Sequence, residues 1–184
     1  MLRRTVIVGV ATVATSLLYA QQAPPAGPES HESPPTPQPN AQSQAPAGAT
    51  TPPAKADATP KGQLKNPYSD SDAAVVQSGS ALYLRYGCNG CHGGNGGGGM
   101  CPPLTNDVWV YGGDDDTLFR LVAYGSDTLQ SKGYSRKATE SVVGPMPPMG
   151  QVVQTDDELW RILAFVRSNY HGSPECKFGC GASQ

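Results

Sequence analysis

Cys88-Asn89-Gly90-Cys91-His92 is the stretch on which the reading of this chain turns. Two thiols three positions apart, with an imidazole directly after the second, read as an attachment site for c-type haem. The spacing has a physical reason. The thiols have to reach vinyl groups on adjacent edges of one porphyrin, and the next side chain then falls beneath the iron on the proximal face. Two other readings compete. A bare C-x-x-C pair can be a redox dithiol, but that pair usually opens a helix after a strand. Here a helical pattern precedes it and a run of glycines follows. A structural zinc site needs further Cys or His at matching spacing, and only the distant Cys176 and Cys180 offer a second cysteine pair.

A haem held by His92 needs a ligand on its other face. Met146-Pro147-Pro148-Met149-Gly150 supplies two thioethers just before the last helical pattern. A thioether is a soft ligand, and Met/His coordination raises a haem potential. Met146 is the first choice and Met149 the alternative, with the two prolines stiffening the loop. Met100 lies too close to the attachment segment to cross to the opposite face. His171 sits at the end of the last helical pattern and His31 in a Pro-rich stretch, and neither is assigned a role.

Helical periodicity flanks the motif. Asp72 to Tyr86 places Val75, Val76, Leu82 and Tyr83 at helix-compatible positions, and Gly87 stops it. Asp116 to Tyr124 carries Leu118, Phe119, Leu121 and Val122, with carboxylates at its start and Gly125 at its end. Thr155 to Tyr170 opens on the capping box Thr155-Asp156-Asp157-Glu158 and closes at Gly172-Ser173-Pro174. A weaker helical turn is expected near Ser135 to Glu140. No run alternates as a strand, so the expected class is all-α, a small helical globule around one covalent haem.

The N-terminus reads as a targeting segment. Arg3 and Arg4 precede an apolar run from Val6 to Leu18, and Ala20 ends an acceptable cleavage site. The run is short for a membrane span, so a membrane attachment is expected only if the signal stays uncleaved. The expected organisation is a signal peptide at 1–20, a disordered Pro/Ala-rich linker at 21–66 and the folded domain at 67–184. The chain has 22 glycines and 18 prolines in 184 residues, and the linker holds many of them. Residues 67–184 carry 8 basic and 12 acidic side chains, which argues against a nucleic-acid partner. Export implies a periplasmic location, where disulfides form.

Taken together, the residues from about Ser78 to Tyr170 resemble the class I c-type cytochromes. Gly79 and Tyr83 precede the motif as in that family, Ile162 and Phe165 stand where its C-terminal helix crosses the N-terminal one, and Met146-Pro147 with Gly150 looks like its distal loop. Pro103-Leu104-Thr105-Asn106-Asp107-Val108-Trp109-Val110-Tyr111 followed by Leu118-Phe119 is similar to the cytochrome c-L type, which accepts electrons from PQQ-dependent alcohol dehydrogenases. The resemblance implies that a carbonyl of Pro102 or Pro103 orients His92 and that Trp109 packs near a propionate. It implies a PQQ-dependent dehydrogenase as donor and a downstream cytochrome or terminal oxidase as acceptor. A general periplasmic cytochrome, the cytochrome subunit of another dehydrogenase and a small haem enzyme are the alternatives. With His92 and Met146 both bound the iron has no open site, so no catalytic residue is expected.

The chain also departs from that pattern. Gly93 to Gly99 reads as a flexible loop beside the haem. Cys101, Cys176 and Cys180 remain after attachment, and a disulfide from Cys101 to Cys176 or Cys180 is expected ahead of a local Cys176–Cys180 bridge. Asp114, Asp115 and Asp116 read as a helix cap with solvated charge, ahead of a docking patch.

Overall fold

The computed structural model describes residues 48–179. The expected signal peptide, the first part of the expected linker and Cys180 lie outside them. Among the described residues the order is α1 (Pro52–Ala58), α2 (Ala73–Arg85), α3 (Asn89–His92), α4 (Asp115–Tyr124), α5 (Ser126–Ser131), α6 (Asp156–Ser168) and a 3-10 turn at Pro174–Cys176. No strand occurs there, in keeping with the expected all-α class.

The frame is the crossing of α2 and α6. The Asp72 carboxylate caps α2 by accepting from the backbone N–H of Ala74 at 2.9 Å and Val75 at 3.2 Å. The capping box at Thr155 and Glu158 is formed on α6. The two helices meet closely because Gly79 has no Cβ, letting α2 lie against the backbone at Arg161. Above that contact Tyr83 packs on Phe165 with ring centroids 5.2 Å apart. The Tyr86 hydroxyl then donates to Glu158 at 2.9 Å, tying the end of α2 to the start of α6. On α6, Leu159, Ile162, Leu163, Phe165 and Val166 are all buried, and each such side chain contributes about 1.5–3 kcal/mol of transfer free energy.

The expected linker boundary at 66/67 moves. Residues 50–64 belong to the packed unit: α1 lies against α4, and Ala56 and Leu64 are buried. Composition hid this helix, although Thr51-Pro52-Pro53 is a good start signal. The Thr51 hydroxyl accepts from Ala54 N–H at 3.4 Å, and the prolines occupy first-turn positions that need no donor.

The expected turn at Ser135 to Glu140 is not helical, because Lys137 N–H and Ala138 N–H both go to the Val110 carbonyl, at 2.7 and 3.2 Å. The short helix of this region is α5, seated by the fully buried Leu129.

Only Asp114 of the three aspartates keeps much contact with solvent. Asp114 caps α4 by accepting from Thr117 N–H at 2.9 Å. Asp115 pairs with the buried Arg167. Asp116 is itself buried, 3.0 Å from the Arg120 guanidinium. The expected helix cap is Asp114, and the other two aspartates are in ion pairs with buried arginines.

Candidate haem-binding cleft

Gly87 ends the run from α2, and Cys88 N–H bonds back to the Tyr83 carbonyl at 3.1 Å. The single turn of α3 follows, with His92 N–H on the Cys88 carbonyl at 3.0 Å. Cys88, Cys91 and His92 all line one cleft with apolar walls that include Leu118, Val122, Ile162, Leu163 and Val166. Burial pushes the Cys88 thiol up from its ordinary value.

The His92 ring is oriented by its Nδ1, 2.9 Å from the Pro102 carbonyl oxygen. A carbonyl only accepts, so Nδ1 carries the proton and the Nε2 lone pair is left for a metal. The partner is Pro102. Pro103, the other candidate, lines the cleft and sets its ring beside Gly98. Trp109 also lines the cleft, but its indole N–H is committed to the Leu104 carbonyl at 2.8 Å and its ring meets Tyr170 edge-on. Its contribution there is packing.

The Gly93–Gly99 loop is knitted, which corrects its reading as a loose one. Gly98 N–H reaches the His92 carbonyl at 2.9 Å, Leu104 N–H the Gly96 carbonyl at 2.6 Å and Cys101 N–H the Cys91 carbonyl at 3.1 Å. Glycine is required at Gly93, where φ is +79° and a Cβ would meet the Gly98 oxygen at 2.6 Å. The Tyr83 hydroxyl donates to the Gly93 carbonyl at 2.8 Å. Burial first, then the neighbouring Cys88 and Cys91, push this phenol up to about 12.

Cys101 is a free thiol on the cleft wall, whereas Cys176 is disulfide-bonded. The expected bridge from Cys101 to the tail is therefore not formed. Its backbone is paired with Cys91, and burial together with the Cys91 thiol raises its own pKa.

Met146 and Met149 face the same cleft. Met149 also packs against the hydrophobic core, and Met146 does not. The Met146 backbone is fixed at both ends: its N–H donates to Ser126 Oγ at 3.0 Å, and its carbonyl accepts from Ser126 N–H at 2.9 Å. Two charged lining residues escaped the reading of the sequence. Arg136 and Glu140 stand on the cleft wall, with Arg136 donating to the Glu140 carbonyl and Asn106 donating to both carboxylate oxygens of Glu140. Their segment carried only a weak helical pattern, so nothing pointed them inward.

Two thiols, an imidazole with a free Nε2, a thioether and apolar walls fit a covalently attached haem. A family model described as cytochrome c oxidase, cbb3-type, subunit III matches residues 74–166. No curated protein matches the chain. Among solved structures, the chain is similar to cytochrome CL from the marine methylotrophic bacterium Methylophaga aminisulfidivorans, at 27% identity and a TM-score of 0.43. That match covers 59% of this chain and 61% of the other.

Proposed function

Since the chain belongs to the family of cbb3-type cytochrome c oxidase subunit III, with the class I c-type cytochrome domain and its covalent haem c, we propose that it is a periplasmic one-electron carrier whose haem is ligated by His92 and Met146. The observation that carries this reading is the convergence of Cys88, Cys91, His92 and Met146 on one apolar cleft. The haem supplies the ferric/ferrous couple. The chain's residues would hold it: Cys88 and Cys91 as thioethers, His92 through Nε2 and Met146 through sulfur. Arg136 is the one cation among the cleft residues described, and it is suited to a propionate. With His92 and Met146 both given to holding the haem, the chain would serve as a carrier and not as a haem enzyme.

Met146 is preferred over Met149 because Met149 is part of the core packing. Met146→Ala therefore abolishes the red charge-transfer band of a ferric Met-ligated haem, while Met149→Ala keeps it and lowers stability. Retention of the band in Met146→Ala would transfer the assignment to another residue.

The donor we propose is a PQQ-dependent alcohol dehydrogenase, supported by the resemblance of Pro103–Tyr111 and Leu118-Phe119 to the cytochrome c-L type. The acceptor is a downstream cytochrome or a terminal oxidase. Export rests on the signal-like residues 1–20. Stopped-flow mixing of the oxidised, haem-loaded chain with a PQQ alcohol dehydrogenase and alcohol checks the partner. Fast, saturable and salt-sensitive haem reduction is expected. Slow, non-saturating reduction beside full dehydrogenase activity on an artificial dye would rule out this donor.

A further inference from the structure

The loop that carries Met146 is held at several points. Met149 N–H donates to the Val122 carbonyl at 2.9 Å and Gly150 N–H to the Ala123 carbonyl at 3.2 Å. With the two Ser126 bonds, these seat the loop on the junction of α4 and α5. Helix α1 also reaches the loop. Gly150 is buried, and a Cβ there would sit 2.6 Å from the Ala123 oxygen and 2.8 Å from the Pro53 ring. The end of the loop thus lies against both the Ala123 carbonyl of α4 and the Pro53 ring of α1.

The segment bearing Pro53 is fastened before and after that contact. Thr50 N–H donates to the Asp156 carboxylate at 2.8 Å, and Asp156 N–H donates to the Thr50 carbonyl at 2.7 Å. Asp156 is the first residue of α6, only a few positions beyond the loop. Downstream, the Arg120 guanidinium donates to the carbonyls of Ala56 and Thr59, each at 2.6 Å. Leu64 N–H reaches the Asp116 carboxylate at 3.2 Å. One segment therefore grips α4, the loop end and the start of α6.

We propose that residues 50–64 form a strap that positions the distal ligand, with Pro53 and Arg120 as positioning residues. The inference rests on the His92/Met146 reading. The strap holds the loop against the cleft, so the thioether competes better with any other ligand for the iron.

Imidazole is the probe. The haem-loaded full chain, oxidised, is titrated with imidazole at fixed pH while the Met–iron charge-transfer band is followed. Pro53→Gly removes the ring from the loop. Arg120→Lys keeps a charge beside Asp116 but cannot reach both strap carbonyls. Val75→Ala, on α2 and away from the loop, lowers stability without touching the strap. The expected result is that both strap variants bind imidazole about tenfold more tightly than wild type and Val75→Ala does not. Unchanged imidazole affinity in the strap variants overturns the proposal, as does an equal rise in Val75→Ala, which would report lost stability alone. Should Arg120→Lys fail to load haem, Pro53→Gly carries the test. Absence of the band in wild type is a different failure, that of the ligation itself, and removes the strap proposal with it.

Discussion

Gly79→Ala destabilises the haem-loaded chain by about 3 kcal/mol or more, the upper end of what overpacking costs. The local expectation runs the other way, since alanine inside a helix is favoured over glycine by about 1 kcal/mol. Packing decides the sign. A Cβ at this position would lie 2.7 Å from the Arg161 carbonyl carbon, nearer still to its oxygen, and 3.0 Å from Phe165 Cβ. Two of those atoms are helix backbone, which cannot swing away as a side chain end can. The helices must separate, and Tyr83 and Phe165 beside the contact separate with them. A thermal melt of the haem-loaded variant checks this. A melting temperature at or above wild type would mean that α2 and α6 are not in close contact at Gly79.

Arg120→Met has an effect of similar size, about 3–5 kcal/mol, the range for breaking a buried ion pair by removing one partner. Arg120 and Asp116 are nearly inaccessible, with side chains 7% and 3% exposed. Methionine fills much of the volume but leaves the Asp116 carboxylate with the Tyr134 hydroxyl at 2.5 Å and the backbone at Gly62 and Leu64 as its donors. The Ala56 and Thr59 carbonyls lose theirs. Denaturant unfolding gives the magnitude, and a loss under about 1 kcal/mol would show that the pair is not buried as described. Adding Asp116→Asn to Arg120→Met restores part of the loss, because the stranded charge is then gone.

The same carboxylate gives the acid limb of the stability curve. Burial alone would raise the pKa of Asp116, but the Arg120, Tyr134 and backbone donors outweigh it and hold the carboxyl below its ordinary 3.8. The folded state therefore binds this proton more weakly than the unfolded state. Its contribution is complete above the unfolded value and disappears as pH falls through the lower folded value. Asp116→Asn is accordingly less stable at neutral pH, and its stability changes less than wild type below about pH 4.

Helices α2, α4 and α6 were legible because their ends are written in short-range chemistry. Asp72, the aspartates at 114–116 and the Thr155–Glu158 box mark starts, and Gly87 and Gly125 mark stops. The attachment motif was legible for the same reason, its geometry being contained in five residues. What stayed hidden depends on partners far along the chain. The strap reads as Pro/Ala-rich filler until Arg120, 64 residues from Ala56, closes on it. Asp115 and Asp116 look like surface charge until Arg167 and Arg120 are placed. The choice between the Pro102 and Pro103 carbonyls depends on the path of the glycine loop, which spacing does not set. Cys101 is an odd thiol by count, and only its pairing with the Cys91 backbone shows that it stays at the cleft.

The bond from Tyr86 to Glu158 joins residues 72 positions apart. Entropy of closing so long a stretch grows only slowly with length, about 0.6 kcal/mol for each doubling. Its consequence is mainly kinetic, because distant contacts form late and slow folding. A prosthetic group anchored at Cys88 and Cys91 and, on the proposed ligation, held by Met146 would span most of that distance by itself. It would divide one long closure into shorter ones, so that loading the cofactor would also choose the route by which this chain reaches its shape.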